Sequence, residues 1–443
     1  MTSVDPVDVV VLGLGAGGEH AARKLAEAGL SVVGVESDLV GGECPFWGCT
    51  PSKLLIRTAQ QGRPWSRAAE RIREANHDWT DDQHAGPLIE AGVRVVRGHG
   101  RLDGPGRVVV ETAAGGEEYD ARLGVVLNTG TRPAVPAITG LAGTPYWTNR
   151  QVMRQTEPPA SLVIIGAGPI GAELAQAFAR FGTRVTMLEA QDRMLCPEEP
   201  EACEVVARAL RREGVEIRTG VDVAEVRHGS PEGSPDGSFE VDVDGETVSA
   251  DRLLVATGRR MNLDDVGLET VGLDPEADRV ATDERMRAGD RLWAVGDITG
   301  HGAYTHLSIY QAQVAVRDLL GADGPWAEYR AVSRVTFTDP EVGSVGLTEE
   351  QARAAGLRVA VGHAEVPRSS RGWIHEADGI VKVVADADRG VLVGGAVVAP
   401  YGGEVLGLLT AAVHARIPVA TLRSMHYAYP TFHRAIAAAL ADL

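Results

Sequence analysis

The sequence is poor in cysteine, in positive charge and in long apolar runs. Four cysteines in 443 residues are too few for a secreted scaffold built on disulfides. They suggest a reducing, cytoplasmic setting, where a disulfide that persists is usually catalytic or sensing. Lys and Arg total 43 against 61 Asp and Glu, for a formal net charge of −18. That balance argues against nucleic acid or an anionic membrane as partner. No segment resembles a signal peptide or a transmembrane span. The apolar stretch at residues 7–14 contains Asp8 and reads as a buried strand. Cys196 and Cys203 flank Pro197 and an acidic helix start, with no accompanying His or Cys. They read as structural cysteines, and no metal site is expected.

What the chain has is a repeated pattern. A β run at residues 7–12 leads to Gly13-Leu14-Gly15-Ala16-Gly17-Gly18, then to a helical stretch at 19–28. Gly29 ends that stretch, and a second β run at 31–35 delivers Glu36. Gly13, Gly15 and Gly18 permit a tight turn and close approach to a pyrophosphate. The helix start offers N–H donors, and the acid accepts from a ribose diol. The layout returns with residues 162–165, Gly166-Ala167-Gly168-Pro169-Ile170-Gly171, a helix through Phe181, residues 185–188 and Glu189. The chain therefore carries two dinucleotide sites for two different cofactors. Glu189 would repel a 2′-phosphate, which favours NADH over NADPH, although Arg184 and Arg193 lie close in sequence. The length suggests about three domains, and 44% hydrophobic residues can fill several cores. The Gly/Ser/Pro-rich segment 228–238 reads as a hairpin loop. Beyond residue 328, strands at 332–337, 380–385 and 392–398 mix with helices at 348–355 and 404–415, an α+β pattern without a fingerprint.

Two cysteines separated by four residues stand soon after the first fingerprint, in Gly41-Gly42-Glu43-Cys44-Pro45-Phe46-Trp47-Gly48-Cys49-Thr50-Pro51-Ser52-Lys53. A pair so close to a nucleotide site is a candidate electron carrier. Together with Thr129-Gly130-Thr131-Arg132-Pro133, Ala256-Thr257-Gly258-Arg259 and Trp293-Ala294-Val295-Gly296-Asp297, these motifs resemble the flavin-dependent pyridine nucleotide–disulfide oxidoreductases over nearly the whole chain. Dihydrolipoamide dehydrogenase, glutathione reductase and mercuric reductase belong to that family.

The resemblance implies an α/β protein with two Rossmann-like dinucleotide-binding domains and a C-terminal α+β dimerisation domain. The FAD domain would comprise residues 1–150 and 263–327, the NAD(P)H domain 151–262, and the interface domain 328–443. It implies FAD at Gly13, Gly15, Gly18, Glu36, Gly42, Thr129, Gly130, Asp297 and His306. It implies NAD(H) at Gly166, Gly168, Gly171, Glu189, Gly258 and Arg259. The segment Tyr304-Thr305-His306-Leu307 resembles a helix start whose dipole stabilises negative charge on reduced flavin. Lys53 and Glu173 match a pair beside the flavin. Cys49 matches the flavin-side thiol, and Cys44 the outer thiol that exchanges with substrate. The active unit would be a homodimer acting on a thiol, disulfide or other small molecule.

The sequence also departs from the family's pattern. Disulfide reductases of this family end in His-Pro-Thr-x-x-Glu, whose histidine serves the partner subunit's thiol. Here the segment is Tyr429-Pro430-Thr431-Phe432-His433-Arg434. A phenol with a reference pKa of about 10 is a poor base at neutral pH but can donate a proton. His426 and His433 are alternative candidates. Dihydrolipoamide and glutathione disulfide are therefore not expected as substrates. Phe46 and Trp47 could shield the cysteines, form an apolar substrate face, or simply pack locally. The chain ends Ala441-Asp442-Leu443, without the terminal cysteine pair of mercuric reductases, so mercury reduction by that route is not expected. Two rival functions remain: a quinone, metal-ion or oxygen reductase fed by NADH, and a low-turnover FAD-binding redox sensor.

Overall fold

The computed structural model describes residues 4–229 and 237–443. The chain falls into two compact units. One comprises Met1–Ser52, Glu70–Ala134 and Arg259–Glu328, the other Lys53–Ala69, Val135–Gly258 and Tyr329–Leu443.

In the first unit the valine-rich strand Asp5–Leu12 pairs in parallel with Val32–Glu36 on one side and Gly115–Leu127 on the other. Val93–Arg97 and Leu292–Ala294 extend the sheet outwards, also in parallel. A central parallel strand is covered on both faces, which is why its apolar run is nearly continuous. Val10, Leu12, Val33 and Leu127 fill one side. Val9, Val11, Leu14 and Val126 fill the other, among buried residues of helices Ala16–Glu27 and Thr305–Leu319. The first helix begins earlier than the expected residue 19. Gly15 is its N-cap, and Gly17 and Gly18 lie within the first turn. A Cβ on Gly18 would come 2.0 Å from the Gly13 carbonyl oxygen, so only glycine lets the turn close this tightly.

The second unit repeats the theme with parallel strands Glu216–Thr219, Arg184–Glu189, Ser161–Ile165 and Arg252–Val255, in that order. An antiparallel meander follows from Val223–Gly229, Ser238–Val243 and Glu246–Ala250. The hairpin expected at 228–238 falls largely on residues 230–236, outside the described residues. The strands that flank it pair antiparallel, Gly229 opposite Ser238.

The C-terminal part is a five-stranded antiparallel sheet. Its order is Ser333–Thr336, Glu341–Gly346, Val391–Ala399, Ile380–Asp386, Val359–Glu365. Helices Gly402–His414 and His433–Asp442 contribute to its core through Leu406, Leu409, Ile436 and Leu440. Among the described residues no helix is long and apolar enough to cross a membrane.

Candidate active site

The first fingerprint forms a cradle. Gly13 has φ +90, and a Cβ there would meet the Asn128 carbonyl oxygen at 2.3 Å. Gly15 caps the following helix without a side chain, which leaves that helix start uncapped by any side-chain oxygen. Gly42 is held against it, since a Cβ on Gly42 would lie 3.0 Å from the Gly15 Cα. Glu36 ends its strand buried and accepts from the Leu14 and Asp38 N–H groups, each at 2.8 Å. Burial pushes its carboxyl above the usual range, while those two N–H groups pull the other way.

Asp297 is likewise pushed up by burial, opposed by the Thr131 hydroxyl and the Arg259 guanidinium. Thr131 Oγ1 donates to Asp297 Oδ2 at 2.6 Å. Asn262 fixes the neighbouring turn, with its N–H on the Gly130 oxygen and its side-chain amide on the Thr129 oxygen, both at 2.9 Å. The Thr129 hydroxyl is buried without a partner. Glycines that leave room, an uncapped helix start, a buried ribose-type acid and an orphaned hydroxyl fit a bound dinucleotide such as FAD.

The cysteine pair belongs to the same unit. Cys44 lies in the short helix Glu43–Phe46, and Cys49 opens the helix Cys49–Gln60. Their side chains hydrogen-bond to each other. That bond, and then burial, push the Cys44 thiol well above its ordinary value. Cys49 Sγ lies 3.4 Å from Thr305 Oγ1, and Thr305 is the first residue of the helix Thr305–Leu319. Two helix starts thus converge on this sulfur, and helix N-termini favour negative charge. His306 is exposed, and its ring stacks on Tyr304 at 5.5 Å. Phe46 and Trp47 are buried: Phe46 packs against His84 and Trp47 stacks on Trp79. They are local packing, not an apolar face open to substrate.

In the second unit the second fingerprint reproduces the first. Gly166 has φ +103, and a Cβ on Gly171 would stand 2.1 Å from the Gly166 oxygen. Gly168 caps the helix Pro169–Arg180, again without a side chain. Glu189 accepts from the Ala167 N–H at 2.6 Å and the Gln191 N–H at 2.9 Å, the same two-sided hold that Glu36 has. Arg184 opens the strand that Glu189 closes, so it lies at the far end, about 16 Å away. Arg193 is tied to the Cys196 carbonyl oxygen at 2.9 Å. The Cys203 thiol is buried and donates to the Leu195 oxygen at 3.3 Å; burial pushes its pKa up to about 11. Glu173, 5% exposed, bonds the Lys53 ammonium at 2.8 Å through one oxygen and accepts the Phe337 N–H at 2.9 Å through the other.

Near the C-terminus, Tyr429 is 72% exposed and donates to Ser370 Oγ at 2.9 Å. His433 is half-buried at the start of its helix, and His426 is exposed. Three of these contacts join residues far apart in sequence and lie outside the sequence-based expectations: Ser370 at Tyr429, Thr305 at Cys49, and the ion pair of Arg259 with Glu43 at 3.1 Å. Only Glu43, an acid inside the cysteine motif, offered a signal. Arg259, expected at the nicotinamide nucleotide, reaches Thr131 Oγ1 through Nε at 2.6 Å. Gly258, at φ +114, is the last residue of that stretch of the second unit.

Two dinucleotide cradles and an adjacent cysteine pair define a flavoprotein fed by a nicotinamide cofactor. Residues 7–318 match the family described as pyridine nucleotide-disulphide oxidoreductase, and residues 332–440 match its dimerisation domain. The chain belongs to that family, and it is an NAD(P)H-dependent, FAD-binding oxidoreductase. It is 31% identical to a dihydrolipoyl dehydrogenase of Bacillus subtilis over 90% of each chain. It is 32% identical to a mercuric reductase of Streptomyces lividans, covering 97% of this chain and 94% of that protein. Among solved structures, it is similar to the copper(II) complex of the HOCl-induced flavoprotein disulfide reductase RclA from Escherichia coli. The TM-score is 0.89 at 27% identity, covering 99% of each chain.

Proposed function

We propose that this protein is a homodimeric disulfide reductase fed by NADH, with Cys44 and Cys49 as its redox pair. The contact of Cys44 with Cys49, and of Cys49 with the start of the helix Thr305–Leu319, carries this reading. FAD, when bound, supplies two-electron transfer between a nicotinamide and a thiol pair. Gly13, Gly15, Gly18, Glu36, Gly42, Thr129, Gly130 and Asp297 would hold it, with His306 at the adjoining helix start. Gly166, Gly168, Gly171 and Glu189 would hold NADH, and Gly258 closes that unit. Lys53, paired with Glu173, would be the cation that the family resemblance implies. Cys49 would take the inner position, and Cys44 would attack substrate. The dimerisation domain supports delivery of Tyr429 to Cys44 of the partner subunit. Tyr429 in the place of a histidine base is the observation that favours a substrate other than dihydrolipoamide or glutathione disulfide. It also keeps open a second reading, reduction of a quinone, which needs no such base.

The test is NADH oxidation by the FAD-loaded enzyme with hydroxyethyl disulfide and with menadione. Disulfide reduction should disappear in both Cys44→Ser and Cys49→Ser. If both variants keep it, the cysteine reading fails. If only menadione is reduced, and Cys49→Ser reduces it as well as wild type, the quinone reading takes its place.

A further inference from the structure

The chain lacks both members of the histidine–glutamate pair that its C-terminal motif would otherwise carry. Tyr429 replaces the histidine, and Arg434 replaces the glutamate that would orient it. An exposed phenol at the end of a loop would be poorly oriented by itself. The structure does not leave it so, because its hydroxyl is bonded to Ser370 Oγ at 2.9 Å.

Ser370 itself is firmly placed. It opens the short helix Ser370–Ile374, whose N-cap Ser369 accepts from the Gly372 N–H at 3.0 Å and donates to the Val366 oxygen at 2.7 Å. Gly372 packs so tightly that a Cβ would sit 1.9 Å from the Val366 oxygen. The Tyr429 segment also meets this helix and its C-cap through Phe432. Phe432 is buried, with the Arg371 guanidinium 5.9 Å and the His375 ring 5.4 Å from its ring centre. The phenol is therefore held at its hydroxyl and, three residues on, by a buried ring.

We propose that Ser370 is the positioning residue for Tyr429 as proton donor, so that a tyrosine–serine pair does here what histidine and glutamate do elsewhere. This rests on the disulfide-reductase reading above. In the step concerned, the Cys44 thiol of the partner subunit gives its proton to water and, as thiolate, attacks a substrate disulfide. The new sulfur–sulfur bond forms, the substrate's own bond breaks, and the electron pair leaves with the departing sulfur as thiolate. Tyr429 gives that thiolate its proton. Both hydroxyls are rotors, so Ser370 can turn from acceptor to donor and bond the phenolate without moving a heavy atom. Water then reprotonates Tyr429. The pair matters only for a leaving thiolate that needs a proton. An alkyl thiolate does; an electron-poor aryl thiolate of low pKa leaves unaided.

The experiment compares hydroxyethyl disulfide with dithiobis(nitrobenzoate) as substrates of the FAD-loaded enzyme. Ser370→Ala should lower kcat/KM for hydroxyethyl disulfide about 10-fold and leave the aryl disulfide within about 2-fold, since acid catalysis is lost only where it is needed. Ser370→Thr should restore the alkyl activity. Ser370→Ala combined with Tyr429→Phe should be no worse than Tyr429→Phe alone, the signature of one unit. Ultraviolet titration of the phenol, read against Tyr429→Phe, should show it harder to ionise in Ser370→Ala. Equal loss with both disulfides, or additive loss in the double variant, would overturn the proposal and leave Ser370 a packing residue. Retention of both activities in Cys44→Ser would instead sink the disulfide reading, without recourse to any Ser370 variant.

Discussion

The guanidinium of Arg259 lies 3.1 Å from the carboxylate of Glu43, the residue immediately before Cys44. The same guanidinium bonds the Thr131 hydroxyl and carbonyl oxygens at 2.6 and 2.7 Å, and the Thr131 hydroxyl continues to Asp297. One side chain therefore joins the cysteine motif to the half-buried acid Asp297.

Loss of this connection should loosen the cofactor. Arg259→Met removes the donor that orients Thr131 and the guanidinium that pairs with Glu43. FAD affinity should fall about 10-fold, the equivalent of one charge-assisted hydrogen bond. Fluorescence of released flavin on dilution measures it. Unchanged affinity would confine Arg259 to a local tie.

The two fingerprints were legible because strand, glycine turn, helix and acid are contiguous, and each residue's role follows from its immediate neighbours. Glu36 and Glu189 ended up with matching N–H partners for that reason. The pairs Glu43–Arg259 and Ser370–Tyr429 were not legible. They join segments far apart in sequence, and nothing local distinguishes a bonded serine from a solvated one. Phe46 and Trp47 illustrate another limit, since pattern alone gave an aromatic pair beside the cysteines but not which way the rings turn. Arg184 looked close to the ribose acid in sequence, yet a strand carries its two ends apart.

Cofactor choice should follow Glu189 alone. Its carboxylate is held at the strand end by two N–H groups, while Arg184 lies at the opposite end and Arg193 is bonded to a carbonyl oxygen. NADH should be preferred over NADPH in kcat/KM. Glu189→Ala should reduce that preference about 10-fold by removing a repelled charge, and Arg184→Ala should leave it unchanged. A wild-type preference for NADPH would refute the assignment.

Stability of the second unit should carry a pH signature from Lys382. This lysine is 2% exposed and bonds Glu199 at 2.8 Å, Glu201 at 2.9 Å and Glu349 at 3.0 Å. Burial works to lower its pKa, but the three carboxylates outweigh it and the net shift is upward. Burial likewise works to raise Glu201, but its bonds, including that from Lys382, hold it below 4.5. Glu349 is held down first by Arg353 and then by Lys382. Carboxyls with lowered pKa contribute stability above their unfolded value and lose it as pH falls through the folded one. A raised lysine contributes below its unfolded value near 10.5 and loses it as pH rises further. The cluster is thus fully engaged between about pH 5 and 10. Lys382→Met should cost about 2–4 kcal/mol there, because it strands buried carboxylate. The gap from wild type should narrow below about pH 4. Thermal melts of the two proteins at neutral and acidic pH measure it, and a gap independent of pH would assign the loss to packing.

The last expectation concerns the base that position 429 lacks. Oxidising a dithiol such as dihydrolipoamide needs a group beside Cys44 that can take a proton near neutral pH. A phenol is not a base of that kind. Wild-type turnover of dihydrolipoamide should therefore be slow. Tyr429→His supplies an imidazole but also removes the hydroxyl that Ser370 holds, and Arg434 offers the new ring no carboxylate. The gain from the single change should be below about 10-fold. Adding Arg434→Glu restores the orienting acid, and the double variant should gain about 10- to 100-fold over wild type, at or just below the lower end of the roughly 100- to 10,000-fold that a positioned general base contributes. Rapid wild-type turnover, lost in His426→Ala or His433→Ala, would show that one of those histidines already serves as the base.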